Sequence, residues 1–186
     1  MLYLFLADGF EETEAVAPLD IVRRAEIPIK TVAIDENPVT GAHGIAIQAD
    51  LTLNDVDMDA MEGMVLPGGM PGTLNLQKNP QVIALLHHCA EQKKLIAAIC
   101  AAPMIPGSLG LLEGKKAVCF PGFEDQLEGA ILEDQGVVVD GNYITAKGAG
   151  TALEFGAAIV DYCYQNQENP GKGKRLLSQM QFHYDV

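Results

Sequence analysis

Leu95-Ile96-Ala97-Ala98-Ile99-Cys100-Ala101-Ala102-Pro103 decides the reading of this chain. Its apolar first half has the length of a buried strand, and the small residues and proline that follow suit the first turn of a helix. An apolar helix is predicted to run on to about Leu112. A strand passing directly into a helix is one unit of an α/β fold, and the rest of the chain repeats the pattern. Strand-length apolar runs occur at Leu2–Ala7, Ile29–Ile34, Met64–Leu66, Ala117–Phe120, Val137–Val139 and Tyr143–Thr145. Apolar residues recur every three to four positions in Glu11–Ala25, Pro80–Gln92 and Thr151–Gln165, which predicts helices there. Pro170 separates a short C-terminal helix, about Gly171–Phe182. Continuous apolar strands alternating with helices imply a mostly parallel, doubly wound sheet covered on both faces, a three-layer α/β sandwich. Ile45–Leu53 instead alternates apolar and polar residues after Asn37-Pro38, and reads as a half-exposed hairpin strand in a small β excursion at 35–53. The length of 186 residues fits one domain over 1–186.

Composition narrows the function. Hydrophobic residues make up 48% and charged residues 20%, an ordinary globular balance. Twelve basic against 25 acidic residues give a formal net charge of −13. Nucleic acid and anionic membrane surfaces need a basic face, so neither is an expected partner. No apolar run approaches the roughly 20 residues of a membrane span. The apolar start meets Asp8 too soon for a secretion signal and reads as a buried strand. Cys89, Cys100, Cys119 and Cys163 show no CxxC spacing, so the default is reduced thiols in the cytoplasm.

In such sheets the functional site lies at the carboxyl ends of the strands. Those ends are Asp8–Glu14, Pro67–Thr73, Cys100–Pro103, Pro121–Asp125 and Lys147–Thr151. Cys100 sits where a strand turns sharply into a helix, with Ala98, Ala101 and Ala102 small enough to let the two elements close up. A thiol at a helix N-terminus faces the positive end of the dipole, which predicts a lowered pKa. A buried cysteine closing a strand would give the same pattern. Glu14 borders the apolar face of its helix, unlike Glu11 and Glu12, and a partly buried carboxyl there would stay neutral and donate a hydrogen bond. Acids in a first helical turn also serve the dipole alone. Gly68-Gly69 leaves backbone N–H groups open for an oxyanion hole with the N–H of Ala101, or is a plain tight turn. His87 and His88 are consecutive in a helix and do not converge. His183 is expected to be exposed, and His43, in the turn 40–44, alone can approach a site. No histidine pair has ligand spacing, so no metal and no cofactor is expected. Cys119 and Cys163 read as core.

Together these segments resemble the ThiJ/PfpI superfamily (class I glutamine amidotransferase-like fold), in its DJ-one branch. The matching residues are Asp8-Gly9-Phe10-Glu11-Glu12-Thr13-Glu14, Asp20 with Arg23-Arg24-Ala25, Leu66-Pro67-Gly68-Gly69, Ala97–Pro103, and Gly148-Ala149-Gly150-Thr151 with Glu154-Phe155. The resemblance implies a flavodoxin-like sandwich and a homodimer. It implies Cys100 as the nucleophile on an elbow, Glu14 as a protonated carboxyl hydrogen-bonded to it, and Gly69 and Ala101 as oxyanion-hole amides. It also suggests that Gly68, Arg24 and His43 lie near the site or the dimer interface, although this branch often carries arginine at the His43 position. Several family members supply a histidine near the cysteine where this chain has Phe120, and protease-like members carry one where this chain has Ala101. A Cys–His protease is therefore not expected.

Two functions follow. One is slow glutathione-independent glyoxalase or deglycase chemistry on a reactive carbonyl such as a 2-oxoaldehyde. The other is a redox-responsive stress protein or chaperone whose partner is an oxidant and whose Cys100 becomes a sulfinate stabilised by Glu14. A ligand-binding domain with an incidental cysteine is the third alternative.

Overall fold

The computed structural model describes residues 1–165 and 170–182, so the expectation for His183 lies outside the described residues. In chain order the elements are β1 (Leu2–Leu6), α1 (Glu12–Arg24), β2 (Ile29–Ala33), β3 (Val39–Thr40), β4 (Ala46–Ile47), β5 (Leu51–Thr52), β6 (Gly63–Leu66), α2 (Gly72–Lys78), α3 (Pro80–Glu91), β7 (Leu95–Ile99), α4 (Met104–Ser108), β8 (Lys116–Ala117), β9 (Ile131–Leu132), β10 (Val137–Asp140), β11 (Tyr143–Ala146), α5 (Ala152–Tyr164) and α6 (Lys172–Gln179). Seven strands form the main sheet in the order β10-β11-β7-β6-β1-β2-β5. All neighbours are parallel except β10, which runs antiparallel to β11.

The apolar runs are continuous because both faces of the sheet are covered. In β1, Leu2, Leu4 and Leu6 enter one core with Ala15, Ile21 and Val22 of α1, Phe155 and Ile159 of α5, and Leu177 of α6. Tyr3, Phe5 and Ala7 enter the other, with Leu76 of α2, Val82 and Leu86 of α3, and Ile105 of α4. The helix after β1 thus lies on one face and the helices after β6 and β7 on the other. The strand order reverses between β1 and β6, and a crevice opens there at the strands' carboxyl ends.

Several local expectations are corrected. The alternating stretch Ile45–Leu53 is not one hairpin strand: β4 pairs antiparallel with β3, and β5 joins the main sheet beside β2. The Asn37 side chain takes both the N–H and the C=O of Ala49, at 2.9 and 3.1 Å. Asp50 turns to accept the N–H and hydroxyl of Thr31 and an ion pair from Arg23. These side-chain bonds replace ladder bonds at the break. Ala117–Phe120 contributes no strand to the main sheet, because β10 already occupies the free edge of β11. Val118 donates to the Thr145 hydroxyl at 3.0 Å instead, and only Lys116–Ala117 pairs, with β9. The helix predicted to reach Leu112 stops at Ser108, where Pro106, Gly107 and a left-handed Gly110 (φ 70°) end it. Helix α2 was not anticipated: Gly72, Thr73 and Asn75 are poor helix formers, and among its leucines only Leu76 is fully buried.

Helices α1 and α5 cross closely at Gly156, where an added Cβ would stand 2.8 Å from the Pro18 Cα and 3.1 Å from the Ile21 Cδ1. Helix propensity favours alanine over glycine by up to about 1 kcal/mol. The clash is with backbone that cannot move alone, and overpacking costs roughly 1–3 kcal/mol. Gly156→Ala is therefore expected to lower stability by about 1–2 kcal/mol in denaturant unfolding, and an unchanged midpoint would show that the helices separate freely.

Candidate active site

Three strand ends supply the site. β7 ends at Ile99, and Cys100 follows in a left-handed conformation, φ 65°. For a residue with a Cβ this costs on the order of 1–3 kcal/mol. The backbone holds it there from both sides: the Cys100 N–H donates to the Ala146 carbonyl and its carbonyl accepts from the Phe120 N–H, each at 2.8 Å. The side chain is consequently turned out of the sheet and is half-buried.

Glu14, on the first turns of α1, is 1% exposed. Its Oε2 accepts the Gly68 N–H at 2.8 Å, and its carboxyl hydrogen-bonds the Cys100 thiol. Gly68 has no alternative here, because a Cβ would stand 2.6 Å from the Glu14 Oε2 and 2.8 Å from the Cys100 Cβ. Gly69 is left-handed (φ 87°), which aims its N–H at the Cys100 sulfur beside that of Ala101. One carboxyl and two amides thus converge on one sulfur.

The electrostatics correct one expectation. Burial lifts Glu14 to about 7, and the nearby Glu11 charge adds to this against the hydrogen bonds from Cys100 and Gly68. Burial likewise pushes Cys100 up to about 12, helped by the charge and hydrogen bond of Glu14, with the Ala101 and Gly69 amides pulling the other way. The thiol is not lowered by a helix dipole, because α4 begins only at Met104 and has five residues. Two acidic groups in one half-buried place do not ionise together. Near neutrality the pair passes from uncharged to singly negative as Glu14 ionises, while the thiol keeps its proton.

The other expected residues divide. Phe120, 46% exposed, adjoins Cys100 through its N–H. Arg24 does not line the site. It ends α1, ten residues or about 15 Å along the axis from Glu14, and pairs with Asp20 at 2.7 Å. His43 faces the carboxylates beside the site: its Nδ1 lies 2.9 Å from Glu12 and 3.4 Å from Glu11. The hydrogen bond to Glu12 raises the His43 pKa, with the charges of Glu11 and Glu12 adding to it. Glu12 was missed by the sequence reading. It is buried, and although burial opposes its ionisation, hydrogen bonds from the His43 ring and the His43 and Ile45 backbone lower it to about 2. Glu11, Glu12 and His43 bring three ligand atoms within 4.8 Å of one another. The spacing argument against a metal overlooked such a loop-to-helix cluster, and its groups are closed on each other by hydrogen bonds. Cys119 and Cys89 are buried, while Cys163 is half-buried, as part of the core wall.

The sequence model of the DJ-1/PfpI family matches residues 1–162. The chain belongs to this family. It is 36% identical over 174 residues to Protein DJ-1 homolog B of Arabidopsis thaliana, covering 92% of this chain and 40% of that one. The chain spans less than half the length of the two plant DJ-1 homologues it matches. It is 32% identical over 154 residues to Deglycase PfpI of Pyrococcus furiosus, covering 81% of this chain and 92% of the relative. A cysteine-to-alanine mutant of a DJ-1 superfamily protein from Salmonella typhimurium superposes with a TM-score of 0.90 at 33% identity, covering 98% of both chains. The α/β sandwich is thus the flavodoxin-like fold of the DJ-1/PfpI family.

The coupled pair has a readable signature. Alkylation of Cys100 is expected to accelerate in two steps, near pH 7 and again at high pH. Glu14→Gln is expected to remove the first step and bring the second below about 12, because the opposing carboxylate is gone. A pH profile of alkylation followed by mass spectrometry reads both; identical profiles for the two proteins would refute the coupling.

Proposed function

We propose that this DJ-1/PfpI protein is a cysteine-dependent enzyme acting on reactive 2-oxoaldehydes or their adducts, of glyoxalase or deglycase type. The observation that carries this reading is the convergence of the Glu14 carboxyl and the Gly69 and Ala101 amides on the Cys100 sulfur. The deglycase relatives support it. With its pKa near 7, Glu14 is ionised in a substantial fraction of molecules at neutral pH and serves as the general base. As the sulfur attacks the aldehyde carbon, the thiol proton passes to Glu14 and the Gly69 and Ala101 amides receive the developing oxyanion. Glu14 then protonates that oxygen, takes the proton from the former aldehyde carbon and returns it to the neighbouring carbon, while the proton of the new hydroxyl passes to the neighbouring oxygen as the carbonyl changes places. The product is a thioester of the hydroxy acid, which water hydrolyses to free Cys100. The net reaction adds water and needs no external oxidant. With Phe120 where a histidine base would stand, Glu14 alone among the described residues hydrogen-bonded to Cys100 can move protons, which fits slow turnover.

A second reading has its own support. Cys100 combines partial exposure with an acid and two amides, whereas Cys89 and Cys119 are buried and Cys163 packs against the apolar core. A sulfinate at Cys100, accepting from Glu14 and the amides, would make the protein a redox-responsive stress protein. One comparison separates the two. Wild-type protein is expected to convert methylglyoxal to lactate, with Cys100→Ala slowed at least about 10³-fold. Full activity in Cys100→Ala refutes the enzyme reading. No activity in wild type, together with two oxygens gained first at Cys100 under peroxide, makes the second reading the function.

Among the described residues no helix is long and apolar enough to cross a membrane. We further propose a cytoplasmic homodimer. Exposed Val16 on α1 and Ile45 in the turn against Glu12 supply apolar surface for it. Sedimentation is expected to give twice the mass of the 19.9 kDa chain, and a monomer at micromolar concentration would exclude it.

A further inference from the structure

We propose that Phe120 is a specificity-determining residue, its ring forming an apolar wall beside the thiol that favours carbonyl substrates with an alkyl or aryl substituent. The inference deepens the reading of Cys100 as a nucleophile toward 2-oxoaldehydes and rests on it. The Phe120 N–H is tied to the Cys100 carbonyl at 2.8 Å. Its ring rests against Gly148, where a Cβ would stand 3.2 Å from the ring Cδ2. Gly148 follows β11, whose last residue, Ala146, accepts the Cys100 N–H. The residue is thus fixed by its backbone to the nucleophile's carbonyl and by its ring against Gly148, and it remains 46% exposed. Met70, the residue after Gly69, is 41% exposed. The loop that presents an amide to the sulfur therefore carries exposed apolar surface, as does the segment bonded to the cysteine carbonyl.

Burying that surface against a substrate substituent removes apolar area from water, a gain that a bare hydrogen on glyoxal cannot give. An anionic substituent is disfavoured, because the Glu11 charge already acts on Glu14 in the site and the chain carries a net charge of −13. The substrate class is therefore an uncharged 2-oxoaldehyde with an apolar side group, phenylglyoxal being the probe compound.

The test uses two readouts. In turnover, kcat/KM for phenylglyoxal is compared with that for glyoxal in wild type, Phe120→Ala and Gly148→Ala. Gly148 is extended (φ 165°), so alanine is tolerated by the backbone while its Cβ displaces the ring. In alkylation, the Cys100 rate with N-benzyl iodoacetamide is compared with that for iodoacetamide, each normalised to glutathione. Both ratios are expected to fall about tenfold in Phe120→Ala, and to shift in Gly148→Ala with the ring still present. Ratios equal in wild type and Phe120→Ala overturn the inference. If wild type turns over neither aldehyde, the enzymatic reading fails, and the alkylation ratio still decides whether Phe120 forms an apolar wall at the thiol.

Discussion

The hydrogen bond between the Glu14 carboxyl and the Cys100 thiol constrains everything around it. The pair has to be buried enough to couple and open enough to react, and it spans segments from two different strand ends. The carboxyl comes from the helix after β1, the thiol from the turn after β7, and the Gly68 amide that fixes the carboxyl comes from the loop after β6. A sheet in which β6 lies between β1 and β7 brings the three together. The alternation of Leu2, Leu4 and Leu6 against Tyr3, Phe5 and Ala7 sets which way the first of them points.

Three glutamates in four positions have three different environments. Glu14 is desolvated and lies near the Glu11 charge, so its proton is held more tightly than an ordinary carboxyl's. Glu12, less deeply buried, is ringed by donors from the turn 41–45 and stays ionised. Glu11 faces His43 and repels a charge on Glu14. The site's reactivity therefore depends on neighbours as much as on the sulfur.

The fold was legible because its strands are buried on both sides and leave uninterrupted apolar runs, and because Cys100 sits between such a run and a cluster of alanines. Glu14 was legible because the apolar face of α1 begins beside it. What was not legible depended on contacts distant in sequence. Glu12 is buried by a loop thirty residues later; Val118–Phe120 is excluded from the sheet because β10 took the edge; and Arg24 shares a helix with Glu14 but lies almost three turns away. The sign of the thiol's shift was misjudged because burial and the sequence-distant Glu14 both raise it. A strand-to-helix turn was read as a dipole source, but the helix it leads to is a short one that starts late.

The backbone at residue 100 has a consequence for how this protein can evolve. The left-handed turn is held by main-chain bonds to Ala146 and Phe120, not by the sulfur. Glycine would relieve the torsion at no loss of those bonds, so the residue that folds best there is one that cannot react. Retaining a side chain at this point sets robustness against reactivity, and drift under relaxed selection would be expected to erode the chemistry long before it eroded the architecture.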